Sequence, residues 1–281
     1  MSRRYLIVGM NTHDSGKTQL AIYLAKALKE KGVEFAYFKP QSGHSYWEKF
    51  EHTQACIEDG RLYSNDVARL EKLVDSGLPL EILNPVHSLY VPAKLERPAY
   101  SMGSTLGIAG WDAVLAMRRI SQVQDGAVQS IVLMSSELIA GDHLLISKED
   151  ANALAGNSER IHITDLEEVY VYETTLMEGA LNSSFELVED RFSNTVIESF
   201  NNSAWPWEGL DSVDKVFAIG PGHIFSYEPK KYLKAVSYMN KGHSPIYSIT
   251  LREIADLLKP MKTFHVQPGE RPPIESLDIG L

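Results

Sequence analysis

Apolar and polar positions alternate along the chain in two rhythms, one of strands and one of helices. Tyr5-Leu6-Ile7-Val8 is a short continuous apolar run, the pattern of a strand buried on both faces. Leu20, Ala21, Leu24, Ala25 and Leu28 recur at helical spacing, and Gly32 stands where such a helix stops. Val33 to Phe38 reads as a second strand, closed by Lys39-Pro40. Strand, loop, helix and strand in this order make a βαβ unit, which implies a parallel sheet with right-handed crossovers. Ser64-Asn65-Asp66 can cap a helix whose apolar face holds Val67, Leu70, Leu73 and Val74 and which ends near Gly77.

Further along, Trp111 to Val123 reads as a helix, Ser130 to Met134 as a strand, and Val169 to Glu173 and Asn194 to Ser199 as strands. Val216 to Ile219 reads as a strand running into Gly220-Pro221-Gly222; Tyr232 to Met239 and Leu251 to Leu258 read as closing helices. The tail from Gln267, with Pro268, Pro272 and Pro273, reads as irregular. The expected architecture is α/β, a doubly wound and mostly parallel sheet in a single domain over residues 1–281. The weak pattern between 93 and 165 suggests an insertion or lid.

The strongest chemical signal is Gly9-Met10-Asn11-Thr12-His13-Asp14-Ser15-Gly16-Lys17-Thr18, between the first strand and the helix that follows. A phosphate chain needs inward-pointing backbone N–H groups, a helix N-terminus beneath it and a flexible cation. Gly16 permits close backbone approach, Lys17 supplies the cation and the Thr18 hydroxyl suits Mg²⁺, so Asn11 to Gln19 are the expected nucleotide contacts. The usual phosphate loop has glycine where this one has Asn11. His13 could reach phosphate or act as a spacer.

That departure gives the loop its resemblance. Asn11-Thr12-x-Asp14-Ser15-Gly16-Lys17-Thr18 resembles the loop of dethiobiotin synthetase and of the cobyric acid synthase group. Phe38-Lys39-Pro40-Gln41-Ser42-Gly43 is similar to the second-strand signature of dethiobiotin synthetase, Tyr63 to Leu70 to its Asn-Ser-Asp helix start, and Asn84-Pro85 with Pro92 to its Asn-Pro segment. The likeness covers roughly the first third of the chain and then fades to one strand end, Val169 to Glu173, where the family's Glu-Gly-Ala-Gly is replaced by Glu173-Thr174-Thr175-Leu176.

The resemblance implies a P-loop NTPase fold and an ATP-dependent enzyme that activates a carboxylate-like small molecule by phosphoryl transfer, for ligation or ring closure. It implies that Lys17 and Lys39 flank the γ-phosphate, that Ser42 sits near the substrate, and that Thr18, Asp66 and Glu173 hold Mg²⁺. A homodimer is the expected assembly. Each residue has a plainer role open to it: Lys39 as a solvated strand-end cation, Asp66 as a helix-start acid favoured by the helix dipole. A nucleotide-dependent switch and a small-molecule kinase are the alternative functions.

Composition narrows this picture. The chain has 281 residues, 44% of them hydrophobic and 23% charged, which is ordinary globular composition. Its single cysteine, Cys56, excludes an intrachain disulfide and favours a reducing compartment, so a cytoplasmic location is expected. No apolar run approaches the roughly 18 residues of a membrane span, and the formal charge of −10 argues against a large nucleic-acid footprint. Asn240-Lys241-Gly242-His243 lacks the final aspartate of a guanine-reading motif, which favours ATP over GTP. Thr12 stands where partitioning ATPases carry a second lysine. Gly220-Pro221-Gly222 could shape an adenine site or simply turn the chain. Arg97, Arg118 and Arg119 are candidates for binding an anion, and the organic substrate itself is left open.

Overall fold

The computed structural model describes residues 3–12, 14–96, 113–240, 242, 244–267, 270, 272 and 277. Among them the chain is α/β, with eleven strands: β1 (Arg3–Gly9), β2 (Ala36–Phe38), β3 (Gln41–Ser45), β4 (Val86–Pro92), β5 (Ala113–Gln124), β6 (Ala127–Met134), β7 (Glu159–His162), β8 (Asn194–Glu198), β9 (Lys215–Gly220), β10 (His223–Tyr227) and β11 (Lys262–His265). They form two mixed sheets, and the chain divides into two compact units. The first holds Met1–Gln41, Asp66–Pro79 and Phe185–Leu281; the second holds Ser42–Asn65 and Leu80–Ser184.

The first unit carries the sheet β11-β10-β9-β1-β8-β2. β9, β1, β8 and β2 are parallel, and β10 and β11 extend the sheet antiparallel beyond β9. Tyr5 to Val8 are buried because β1 lies between β8 and β9, which is why its apolar run does not alternate. The helix Lys17–Glu30 buries Leu20, Ala21, Leu24, Ala25 and Leu28, as their spacing predicts. An aromatic group stands beside the sheet: Phe38, Phe185 and Trp207 meet edge to face or tilted, with ring centroids 5.0–5.6 Å apart. Trp205 is also buried, its indole N–H donating to the Leu210 carbonyl at 2.9 Å.

The second unit carries the sheet β3-β4-β5-β6-β7, in which β4, β5 and β6 are antiparallel and β7 runs parallel to β6. The expectation of a mostly parallel sheet therefore holds for the core of the first unit and not for the second. The segment 93–165 lies within this second unit, which begins earlier, at Ser42.

Two expected elements are corrected. Residues 113–124 form β5 and not a helix; Trp111 lies outside the described residues. Ala, Leu, Met and Arg are good helix formers, but pairing with β4 and β6 buries Val114 to Met117 completely and overrides that preference. Conversely, Val169-Tyr170-Val171-Tyr172 lies in the helix Leu166–Tyr172, continued by a π-helical turn at Glu173–Met177. Asp165 caps that helix by accepting from the Glu168 N–H at 2.9 Å, and Glu167 and Glu168 favour its first turn. Only Val169 of the run is deeply buried; Tyr170 and Val171 are exposed, unlike a core strand.

Candidate functional site

The site residues of the first unit come together at the carboxyl ends of its parallel strands. The register pairs Phe38 of β2 with Ile197 of β8, so the next residues, Lys39 and Glu198, emerge side by side. Ile7 of β1 stands opposite Glu198, and the glycine loop leaves β1 two residues later, at Gly9. Ligands of open α/β sheets bind at this edge.

The loop is closed on itself. Ser15 Oγ donates to the Asn11 carbonyl at 2.7 Å and accepts from the Asn11 N–H at 3.0 Å. Gly16 takes a left-handed conformation, φ 91°, just before the helix Lys17–Glu30, and no side chain caps that helix start. Asn11, Thr12, Asp14 and Gln19 are exposed; His13 lies outside the described residues. Lys17 Nζ donates to the backbone carbonyl of Asn201 at 2.6 Å. Burial pulls its pKa below the ordinary lysine value, against the attraction of Glu198.

Beside the loop lies a charged cluster. Lys39 Nζ bridges Asp66 Oδ2 at 2.6 Å and Glu198 Oε1 at 2.8 Å. The Thr18 hydroxyl reaches the same two oxygens, at 3.2 Å and 3.1 Å. Tyr37 donates to the second Glu198 oxygen at 2.7 Å, and burial, with Glu198 adding, pushes its phenol well above the ordinary value. For Lys39, burial favours the neutral amine, but Glu198 and Asp66 outweigh it and hold the ammonium firmly charged. Burial raises the Asp66 pKa, but Lys39 and Thr18 outweigh it and keep the carboxylate ionised. The solvated-cation role for Lys39 is therefore excluded, since its side chain is 8% exposed.

Asp66 and Glu198 share the bonded ammonium of Lys39, and the Lys17 ammonium lies close enough to attract both. Two carboxylate oxygens and a hydroxyl on one spot are hard-oxygen donors of the kind Mg²⁺ takes together with phosphates and water. Thr18, Asp66 and Glu198 thus fit that ion. Glu198 carries no motif of its own; its signal in the sequence is the β-branched run Thr195-Val196-Ile197 ending in a carboxylate, at a strand end like the one expected of Glu173.

Glu173 itself follows a helix, not a strand, and forms an ion pair with Arg118. Arg118 also donates to Ser88 Oγ at 2.9 Å, and Arg119 is buried with its guanidinium bonded to the carbonyls of Leu62, Pro85 and Asn84 and to Ser121. Both arginines are thus committed within the second unit, on β5 rather than on a helix. Arg97 lies outside the described residues.

Ser42 lies in the second unit, in a chain of polar groups. It bonds Asn84 Oδ1 at 2.8 Å and His87 Nδ1 at 2.6 Å; His87 Nε2 meets His44 Nδ1 at 2.8 Å, and His44 Nε2 meets Thr53 Oγ1 at 3.0 Å. The Asn84 amide is oriented by donating to the Val86 carbonyl at 3.1 Å. Burial, with His52 and Lys49 nearby, pushes His44 down to about 3. Cys56 is buried, its thiol pushed up to about 11 by burial, as suits a core residue. Gly220-Pro221-Gly222 forms the tight turn of the antiparallel β9–β10 hairpin. Among the described residues no helix is long and apolar enough to cross a membrane. No family model, curated protein or solved structure matches the chain.

Proposed function

We propose that the chain is a P-loop ATPase that binds MgATP on Gly9–Thr18 and activates a carboxylate-like small molecule by phosphoryl transfer. The observation that carries this reading is the convergence of Thr18, Lys39, Asp66 and Glu198 beside the glycine loop at the carboxyl ends of β1, β2 and β8. The resemblance of the loop to that of dethiobiotin synthetase supports it from the sequence side.

In this reading the loop amides and the uncapped helix start hold phosphate oxygens. Lys17 leaves the Asn201 carbonyl for the phosphates. Thr18, Asp66 and Glu198 would hold Mg²⁺, which would supply positive charge for the phosphoryl oxygens. Lys39, fixed between two carboxylates, stays protonated and adds positive charge where the phosphoryl moves. Positioning and charge supply the catalysis, so no side chain need react covalently.

The deciding experiment is calorimetric titration of MgATP into wild type and Lys17→Ala. We expect at least a tenfold loss of affinity, about 1.4 kcal/mol. Equal affinities would remove the loop from the site. A nucleotide-operated switch is the second reading, favoured by the bond from Lys17 to the Asn201 backbone. A synthetase should hydrolyse ATP little until its organic substrate is present, and a switch should answer to a protein partner.

A further inference from the structure

Lys17 is spoken for before any nucleotide arrives. Its ammonium lies 2.6 Å from the Asn201 carbonyl, a short charge-assisted bond. Glycine at position 9 is what lets it lie there. A Cβ on Gly9 would stand 2.8 Å from Lys17 Nζ and 2.9 Å from the Asn201 oxygen, closer than real contacts allow. Asn201 itself holds a left-handed backbone, φ 49°, which asparagine tolerates better than most residues but which still costs conformational energy. Three features of loop and carbonyl thus agree on one docked position.

The carbonyl belongs to a segment tied to the far end of the chain. The Asn202 carbonyl accepts from the Leu251 N–H at 2.9 Å, Ser203 pairs with Thr250, and the Ala204 N–H donates to the Ile249 carbonyl at 2.8 Å. Thr250 in turn caps Leu251–Ile254 with a full capping box with Glu253. Lys17 therefore anchors, through one carbonyl, a short two-stranded contact between 202–204 and 249–251.

We infer that Lys17 and Asn201 form a latch that nucleotide releases, so that occupancy of the phosphate loop is transmitted through 201–204 to the segment 249–254. This rests on the reading of Gly9–Thr18 as a nucleotide site and deepens it. A phosphate competes with the Asn201 carbonyl for the same ammonium. When the ammonium goes to phosphate, the carbonyl loses its partner and the left-handed turn loses the contact that holds it. The ligand class that operates the latch is an anion with phosphate chemistry, and the output is loosening at Ala204 and Leu251.

Hydrogen exchange on the full chain tests this, with and without saturating Mg²⁺ and a non-hydrolysable ATP analogue. We expect protection over 9–18 together with about threefold or faster exchange at Ala204 and Leu251. The second variant is Asn201→Val, because a β-branched residue resists φ 49° and displaces the carbonyl. Its nucleotide-free form should already exchange fast at Ala204 and Leu251, and the analogue should add little. Protection over 9–18 with unchanged exchange at Ala204 and Leu251 overturns the latch and leaves the nucleotide site standing. So does an Asn201→Val protein that keeps slow exchange and the full nucleotide response. Lack of protection over 9–18 at concentrations that saturate calorimetrically, or no calorimetric binding at all, overturns both.

Discussion

Lys17 and Lys39 carry the same charge in different settings, and their replacements should fail differently. Lys17 is bonded to a single carbonyl, so Lys17→Ala should cost nucleotide affinity, while the nucleotide-free protein loses only the local hold on 201–204 and its thermal midpoint falls less than that of Lys39→Ala. Lys39 neutralises two carboxylates, one of them Glu198 at 1% exposure. Removing it strands a buried charge, and Lys39→Ala should lose on the order of 3 kcal/mol of stability, read as a lower urea midpoint. An unchanged midpoint would mean that the cluster is solvated and its two carboxylates do not depend on Lys39. The carboxylates separate by role in the same way. If the proposed reading holds, Glu198→Gln and Asp66→Asn should each raise the Mg²⁺ needed for half-maximal ATP turnover about tenfold or more. Glu173→Gln, which loses an ion pair with Arg118, should leave that requirement where it is. A Mg²⁺ shift in Glu173→Gln with none in Glu198→Gln would reverse the assignment.

At the scale of elements, legibility followed local chemistry. The strand β1, the helix Lys17–Glu30 and the start of the helix Asn65–Val74 could be read because glycine stops, caps and apolar spacing all pointed one way. The candidate site was legible as far as that consistency reached: Thr18, Lys39 and Asp66 meet as their motifs suggest. Glu198 is different, because what brings it to them is the pairing of β8 with β1 and β2 across some 160–190 residues of chain, which leaves no local spacing. The two misread elements fail for different reasons. In β5, pairing with β6 across the tight turn Asp125-Gly126, both left-handed, and with β4 on its other side defeats helical composition; in Leu166–Tyr172, a local cap defeats a β-branched, aromatic composition. The second point can be tested. Asp165→Ala removes the acceptor for the Glu168 N–H and should destabilise the protein by about 1 kcal/mol, whereas Asp165→Asn should restore most of it. Equal stability of all three would make the cap incidental and leave the helix without a local cause.

At the scale of the whole molecule, the buried His44 makes stability depend on acid. His44 sits between His87 and Thr53 with its pKa pushed from 6.5 down to about 3 by burial, His52 and Lys49. In the folded chain it is neutral over a range where the unfolded chain takes up a proton. Its contribution to stability is therefore complete above pH 6.5 and is lost progressively as pH falls toward 3. Each pH unit in that window costs up to about 1.4 kcal/mol, less to the extent that water reaches the ring. The thermal midpoint should fall between pH 7 and pH 5, and His44→Gln should flatten the fall. An undiminished slope in that variant would assign the acid sensitivity to other groups.

The aromatic group beside the first sheet gives the chain a built-in lamp. Trp205 and Trp207, fully enclosed, follow directly on the residues that run from Glu198 to Ala204, while Trp47 faces water at 72% exposure. Emission from the enclosed pair should be blue-shifted and shielded from acrylamide, and that of Trp47 red and readily quenched. On the proposed reading, binding at Gly9–Thr18 should shift this blue component, and an unchanged spectrum at saturating MgATP would mean that the enclosed pair does not sense the loop.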